Sequence, residues 1–70
     1  MELNYDRKAD ALYIKLRGGA FAKNRKVDSH TIFDLDKSGN ILGIEILEAS
    51  KRIPTASLAK VRLKNVAFSA

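Results

Sequence analysis

Residues 34–45, Asp-Leu-Asp-Lys-Ser-Gly-Asn-Ile-Leu-Gly-Ile-Glu, constrain this chain more than any other stretch. They fit a calcium loop and a β-hairpin at once. Read as a loop of the EF-hand kind, Asp34, Asp36 and Ser38 take the first, third and fifth positions, Gly39 the sixth, Ile41 the eighth and Glu45 the twelfth. Ser38 departs from the strict pattern, which asks for Asp or Asn there. The flanks decide the matter, because such a loop lies between two helices. Here Thr31-Ile32-Phe33 before it is β-branched and aromatic, and Gly43-Ile44-Glu45-Ile46-Leu47 after it alternates with period two.

The hairpin reading also predicts a register. A four-residue loop, Lys37 to Asn40, pairs Leu35 with Leu42, Phe33 with Ile44 and Thr31 with Ile46. One face is then coherently apolar, whereas a slip of one residue mixes the faces. In this register Glu45 sits opposite Ile32. A strand advances ~3.3 Å per residue, so Glu45 cannot return to Asp34 and Asp36 at a calcium–oxygen distance of roughly 2.3–2.6 Å. The opposite face of the hairpin holds Ile32, Asp34, Ile41, Gly43, Glu45 and Leu47. A sheet face turned to water alternates more cleanly than this. Ile32, Ile41, Glu45 and Leu47 are therefore the expected oligomer interface.

Size points the same way. The chain has 70 residues and no cysteine, so it is one domain without disulfides or thiolate metal ligands. A chain this short offsets its ordering entropy only narrowly. Yet 46% of it is hydrophobic, which excludes disorder and suggests apolar surface shared between subunits. A homo-oligomer is expected, with a dimer favoured. No apolar window approaches a membrane span, and the start, Met-Glu-Leu-Asn-Tyr-Asp, lacks the pattern of a secretory leader. A cytoplasmic protein with no membrane contact is the expectation.

Elsewhere, Leu3 and Tyr5 alternate in a short first strand. Asp6 to Asp10 reads as a turn, and Ala11 to Leu16 is a strand with Leu12, Ile14 and Leu16 on one face. Gly18-Gly19 ends it. Residues 20–28 are ambiguous between a further strand and an irregular edge, and the cations Lys23, Arg25 and Lys26 suit an edge that resists aberrant pairing. Pro54 opens a short helix over residues 54–60, with Leu58 and Val61 inward. A closing strand follows, from Val61 to Phe68, with a break at Asn65. The fold class is α+β: a small antiparallel meander of four to six strands with one short helix.

The net charge of +5 is uneven. Residues 1–48 carry eight basic and eight acidic residues, so the excess lies beyond Glu48 in Lys51, Arg52, Lys60, Arg62 and Lys64. These five are the candidate contacts for nucleic acid or an acidic partner. A solvated face is the simpler account of them, since no recognition motif accompanies them. His30 is the single histidine, and no nucleophile motif surrounds Ser29, Ser38, Ser50 or Ser57. Asp6, Asp10, Asp28 and Asp34 would serve a magnesium site if clustered, but Asp6 and Asp10 read as local turn caps. No catalytic residue, metal ligand or cofactor is expected.

The order Tyr5-Asp6, Ala9-Asp10-Ala11-Leu12-Tyr13-Ile14-Lys15-Leu16, the Asp34–Asn40 turn and Gly43-Ile44-Glu45-Ile46-Leu47-Glu48-Ala49-Ser50 resembles a family of small bacterial and archaeal proteins catalogued as a domain of unknown function. The resemblance spans roughly residues 4–53. It implies no established activity and transfers no catalytic residue. Some relatives look like antitoxin-type partners of small toxin-like proteins. The basic run Lys23–Lys26 departs from the more acidic character usual there in the family, which favours an anionic partner. The leading expectation is a non-enzymatic binding module, antitoxin-like, with a small protein partner or nucleic acid. The alternative is a small metal-dependent hydrolase or nuclease using Asp6, Asp10 or Glu45.

Overall fold

The computed structural model describes residues 1–60 and residue 62. Five strands precede two single-turn helices: β1 (Glu2–Asp6), β2 (Ala11–Lys15), β3 (Lys23–Asp28), β4 (Thr31–Leu35), β5 (Ile41–Leu47), α1 (Ala49–Arg52) and α2 (Thr55–Leu58). All strand pairings are antiparallel and the sheet order is β1-β2-β5-β4-β3. The fold is thus the expected small α+β sheet. It consists of a β1–β2 hairpin joined to a β3–β4–β5 meander through β5. The expected closing strand over residues 61–68 and the inward Val61 lie outside the described residues.

The central hairpin follows the predicted register over most of its length. Thr31 pairs with Ile46, Ile32 with Glu45 and Phe33 with Ile44. The predicted Leu35–Leu42 pair is corrected: Leu35 pairs with Ile41, after a register shift between Asp34 and Leu35. The extra residue, Leu42, is a bulge that breaks the period-two pattern. Leu35 and Leu42 are consequently both buried, while Ile41 remains 37% exposed. The turn is closed from within. The Asp36 carboxylate accepts hydrogen bonds from the N–H groups of Ser38 and Asn40 at 2.9 Å each, and from Asn40 Nδ2 at 2.9 Å. Gly39 takes φ 88°, a backbone region that strains residues with a Cβ. The residues that imitate calcium ligands are the ones a tight turn needs.

The ambiguous stretch is resolved as an edge. β3 pairs only with β4 among the described residues, and all six of its residues are exposed. Registered pairs carry two rows across one face: Leu3, Ile14, Ile44, Phe33 and Arg25, then Tyr5, Leu12, Ile46 and Thr31. The helical segment starts at this face, because Arg52 Nη1 of α1 donates to Thr31 Oγ1 at 2.6 Å. At the other end Gly19 lies against the Leu42 side chain, where a Cβ would come within 2.8 Å of Leu42 Cδ2. The buried apolar residues are Leu12, Leu35, Leu42 and Ala49, and no large side chain is fully buried among the described residues. α2 follows Pro54, whose carbonyl accepts from the N–H groups of Ser57 at 2.9 Å and Leu58 at 3.3 Å. α1 was not expected: it follows Glu48, whose left-handed φ of 50° turns the chain sharply at the end of β5.

Candidate functional site

Polar side chains gather in two places, a corner clasp and a sheet face. The clasp centres on Asp10. Its Oδ1 accepts from the Tyr5 hydroxyl at 2.6 Å and from the Ser50 N–H at 3.0 Å, and its Oδ2 accepts from Ser50 Oγ at 2.7 Å. The Ala49 N–H donates to the Asp10 carbonyl at 2.9 Å. These bonds stabilise the carboxylate, the Tyr5 bond most, so the Asp10 pKa is lowered and that of Tyr5 is raised. Asp10 itself adopts φ 51°, a conformation tolerated by short polar side chains. The clasp explains why β5 ends where it does: Glu48 turns the chain and Asp10 receives the turn.

On the other side of the corner, Glu48 Oε2 lies 2.7 Å from His30 Nε2, and Lys51 Nζ lies 3.2 Å from Glu48 Oε1. Ser29 Oγ is 2.9 Å from His30 Nδ1. Hydroxyl, imidazole and carboxylate thus form a line that spacing in the sequence did not reveal, because Glu48 reaches His30 only through the β4–β5 pairing. The line lacks the remainder of a hydrolytic site. His30 and Glu48 are 41% and 47% exposed in their side chains, and the backbone N–H of His30 is already donated to Asp28 Oδ1 at 2.8 Å. Acyl transfer needs oriented donors for an oxyanion and a sheltered substrate position. What this line does is fasten α1 to the β3–β4 turn.

The second cluster lies on the sheet face opposite the helical segment. Registered pairs put Asn4, Tyr13, Glu45, Ile32 and Lys26 in one row, and Glu2, Lys15, Gly43, Asp34 and Asn24 in the next. The Tyr13 ring lies across Gly43 so closely that a Cβ there would overlap the phenol. Tyr13, Asp34 and Glu45 therefore crowd together, which corrects the expectation that Glu45 stands clear of Asp34: the two carboxyls meet across the β4–β5 pair on one sheet face, while Asp36 stays in the turn. Burial, then the charge of Asp34, raises the pKa of Tyr13, and the same two causes in the same order raise that of Glu45. Asp34 Oδ1 is buried without a hydrogen-bond donor.

The residues singled out by sequence fall as follows. Ile32 and Glu45 are registered neighbours on this face, and Leu47 lies two positions further along β5. Ile41 leaves the face, because the Leu42 bulge pairs it with Leu35 instead. Lys51 and Arg52 engage their own chain, Arg52 Nη1 lying 3.7 Å from Asp28 Oδ1 as well as bonding Thr31. Lys60 and Arg62 are exposed. Lys64 lies outside the described residues. Asp6 caps the β1–β2 turn through the N–H groups of Lys8 at 2.9 Å and Ala9 at 3.2 Å. Asp6, Asp10 and Glu45 do not converge, and no group of three or more metal-ligating side chains forms among the described residues. An open pocket of about 350 Å³ lies beside the hairpin turn, lined by Ala20–Ala22 and Asp36–Ser38, away from both clusters.

Sheet order, edge chemistry and clasp together define a small α+β sheet domain whose recognisable features lie in residues 2–50. The chain belongs to the family described as a protein of unknown function, DUF2283, whose model matches residues 2–50. That span holds all five strands and the Glu48–Ser50 corner and excludes Lys51, Arg52, Lys60, Arg62 and Lys64. No curated protein and no solved structure matches the chain. Among the described residues no helix is long and apolar enough to cross a membrane.

Proposed function

We propose that this chain is a non-enzymatic binding module, acting in the cytoplasm, that recruits an acidic extended segment of a small protein partner to the outer edge of β3. The observation that carries this reading is β3 itself: an edge strand, exposed at every residue, with Lys23, Arg25 and Lys26 in six positions. An edge strand offers unpaired N–H and C=O groups, and an added strand gains main-chain hydrogen bonds from them. Charge sets the specificity. The cations that repel a second copy of β3 attract a strand bearing Asp or Glu. A register shift between Lys26 and Asp28 limits the regular edge to Lys23–Lys26, so a short segment suffices. In the antitoxin-like form of this reading, the partner is a small toxin-type protein presenting such a strand.

The test is fluorescence anisotropy with two probes: an alternating Glu-Val peptide and a single-stranded RNA of similar charge. The wild-type chain binds the peptide, and Lys23→Glu/Arg25→Glu/Lys26→Glu weakens binding at least tenfold. Binding of RNA with no binding of the peptide would replace the acidic-strand reading with the nucleic-acid one. RNA affinity must then fall steeply with salt.

A further inference from the structure

Among the described residues one side-chain polar atom is buried without a hydrogen-bond partner, Asp34 Oδ1. Buried acceptors in folded proteins are almost always paired, so an orphan calls for a physical cause. The cause stands beside it on the neighbouring strand. From the geometry of this face we infer that Asp34 and Glu45 share one proton, the Glu45 carboxyl donating to Asp34 Oδ1, and that the pair is a pH-sensitive latch between β4 and β5. This goes beyond the edge-binding reading and does not rest on it, since the outer edge of β3 takes no part in the latch.

Three observations carry the latch. The first is register. Asp34 pairs with Gly43 and Ile32 with Glu45, so Asp34 and Glu45 are diagonal neighbours on one face of the hairpin. Diagonal Cβ atoms on adjacent strands lie roughly 7–8 Å apart, within reach of two long side chains turned toward each other. Tyr13 is registered with Glu45, and its ring fills the space over Gly43, opposite Asp34. The phenol thus lies beside both carboxyls. The second is the shortage of other donors. Besides the pair, the titratable and charged groups of this face are Glu2 and Asp6 from β1, Tyr13 and Lys15 from β2, Lys26 from β3 and His30 just before β4. Asp6 is occupied in its own turn and His30 is held by Glu48. Among the described residues neither lysine forms an ion pair with Asp34 or Glu45. Even with the Tyr13 hydroxyl close by, Oδ1 has no donor.

The third is the chemistry of the two groups. Ionised carboxylates only accept hydrogen bonds, and two of them this close repel. One proton on Glu45 replaces the repulsion with a donor–acceptor bond and gives Oδ1 its partner. Burial, the charge of Asp34 and a hydrogen bond to it all raise the Glu45 pKa, the direction that a shared proton requires. With the proton in place β4 and β5 are tied side chain to side chain. When it leaves to solvent, the pair carries two negative charges, the bond is lost and Glu45 turns outward. A local charge change then reads out as a loosened strand pair.

The experiment is a carboxyl carbon-13 NMR titration of the full chain, following Asp34 Cγ and Glu45 Cδ together with the backbone amides of β4 and β5. Groups that share a proton titrate as a pair, so both carbons are expected to move in the same two steps. The amides of Asp34 and Glu45 follow the upper step. Glu45→Gln supplies a permanent donor to Oδ1 and leaves Asp34 a single step. Asp34→Asn removes the partner charge, and Glu45 then titrates in one step at lower pH than the upper step of the wild type. Should Asp34→Asn fail to fold, the Glu45→Gln titration decides alone. Independent single steps for the two carbons in the wild type overturn the inference. So does an Asp34 curve that keeps two steps in Glu45→Gln, or an upper step that leaves the amides unmoved. None of these results bears on the peptide-binding test of β3.

Discussion

Asp10 and Ser50, forty positions apart, are joined through two hydrogen bonds, one from the Ser50 N–H at 3.0 Å and one from Ser50 Oγ at 2.7 Å. This contact closes the β1–β2 turn onto the corner after β5. It ties the last residue of the part of the chain that the family model covers to the turn between its first two strands. Asp10→Asn keeps the shape but turns one acceptor into a donor facing the Ser50 donors. We expect a drop in Tm of about 5 °C by circular dichroism, at constant fold. Ser50→Ala should lower Tm less, since the backbone N–H bond survives.

The clasp also sets acid sensitivity. The pKa values of Asp10, Asp28, Asp36 and Glu48 are all lowered, Asp10 by the Tyr5 bond first, Asp28 by the His30 N–H, Asp36 by Asn40 and Glu48 by Lys51. A carboxyl with a lowered folded value stabilises the fold above its unfolded value and loses that contribution as pH falls through the folded one. Thermal melts should therefore show stability falling progressively below about pH 4, where these groups take up protons. A profile flat down to pH 2 would contradict the hydrogen bonds assigned to them.

Glu45 behaves with the opposite sign. Its pKa is raised by burial and by Asp34, so only between the unfolded and the folded value does the folded chain bind more protons than the unfolded one. Stability then falls as pH rises from the unfolded value through the folded one. Glu45→Gln removes this dependence. It should raise Tm at pH 7 by about 2–4 °C and have little effect at pH 4. An equal change at both pH values would place the effect in packing rather than charge.

Gly43 and Tyr13 are coupled by space. Gly43→Ala forces the phenol off its position and should cost about 1–3 kcal/mol in urea unfolding. In Tyr13→Ala the same glycine change should be nearly neutral. The double-mutant cycle measures the contact directly.

Most of the fold was legible in the residues, because period-two alternation, paired glycines and turn residues act locally. Thr31 to Ile44 gave the register of the hairpin, and Asp36 to Asn40 gave its turn. Alternation breaks at Leu42, where a bulge exchanges strict pairing for burial of two leucines. That is also why Ile41 left the face predicted for it. The order β1-β2-β5-β4-β3 was not legible, since a strand inserted between others leaves no local mark. The candidate site was less legible still. Asp10 read as a turn cap, and nothing near it in sequence pointed to Ser50 or Tyr5. The proximity of Tyr13, Asp34 and Glu45 needs three strands in register and a glycine beneath a ring. The basic excess of the sequence lies beyond Glu48, whereas the cations of β3 line an open edge only once that strand pairs with β4, and its sequence lacks the period-two apolar pattern that marks a strand.

The most direct test of the central claim is hydrogen exchange of the β3 amides with and without the alternating Glu-Val peptide. The account predicts slowed exchange along Lys23–Lys26 with no change in β1, the other edge of the sheet. Protection spread over β1, or binding of the peptide without protection in β3, would contradict it.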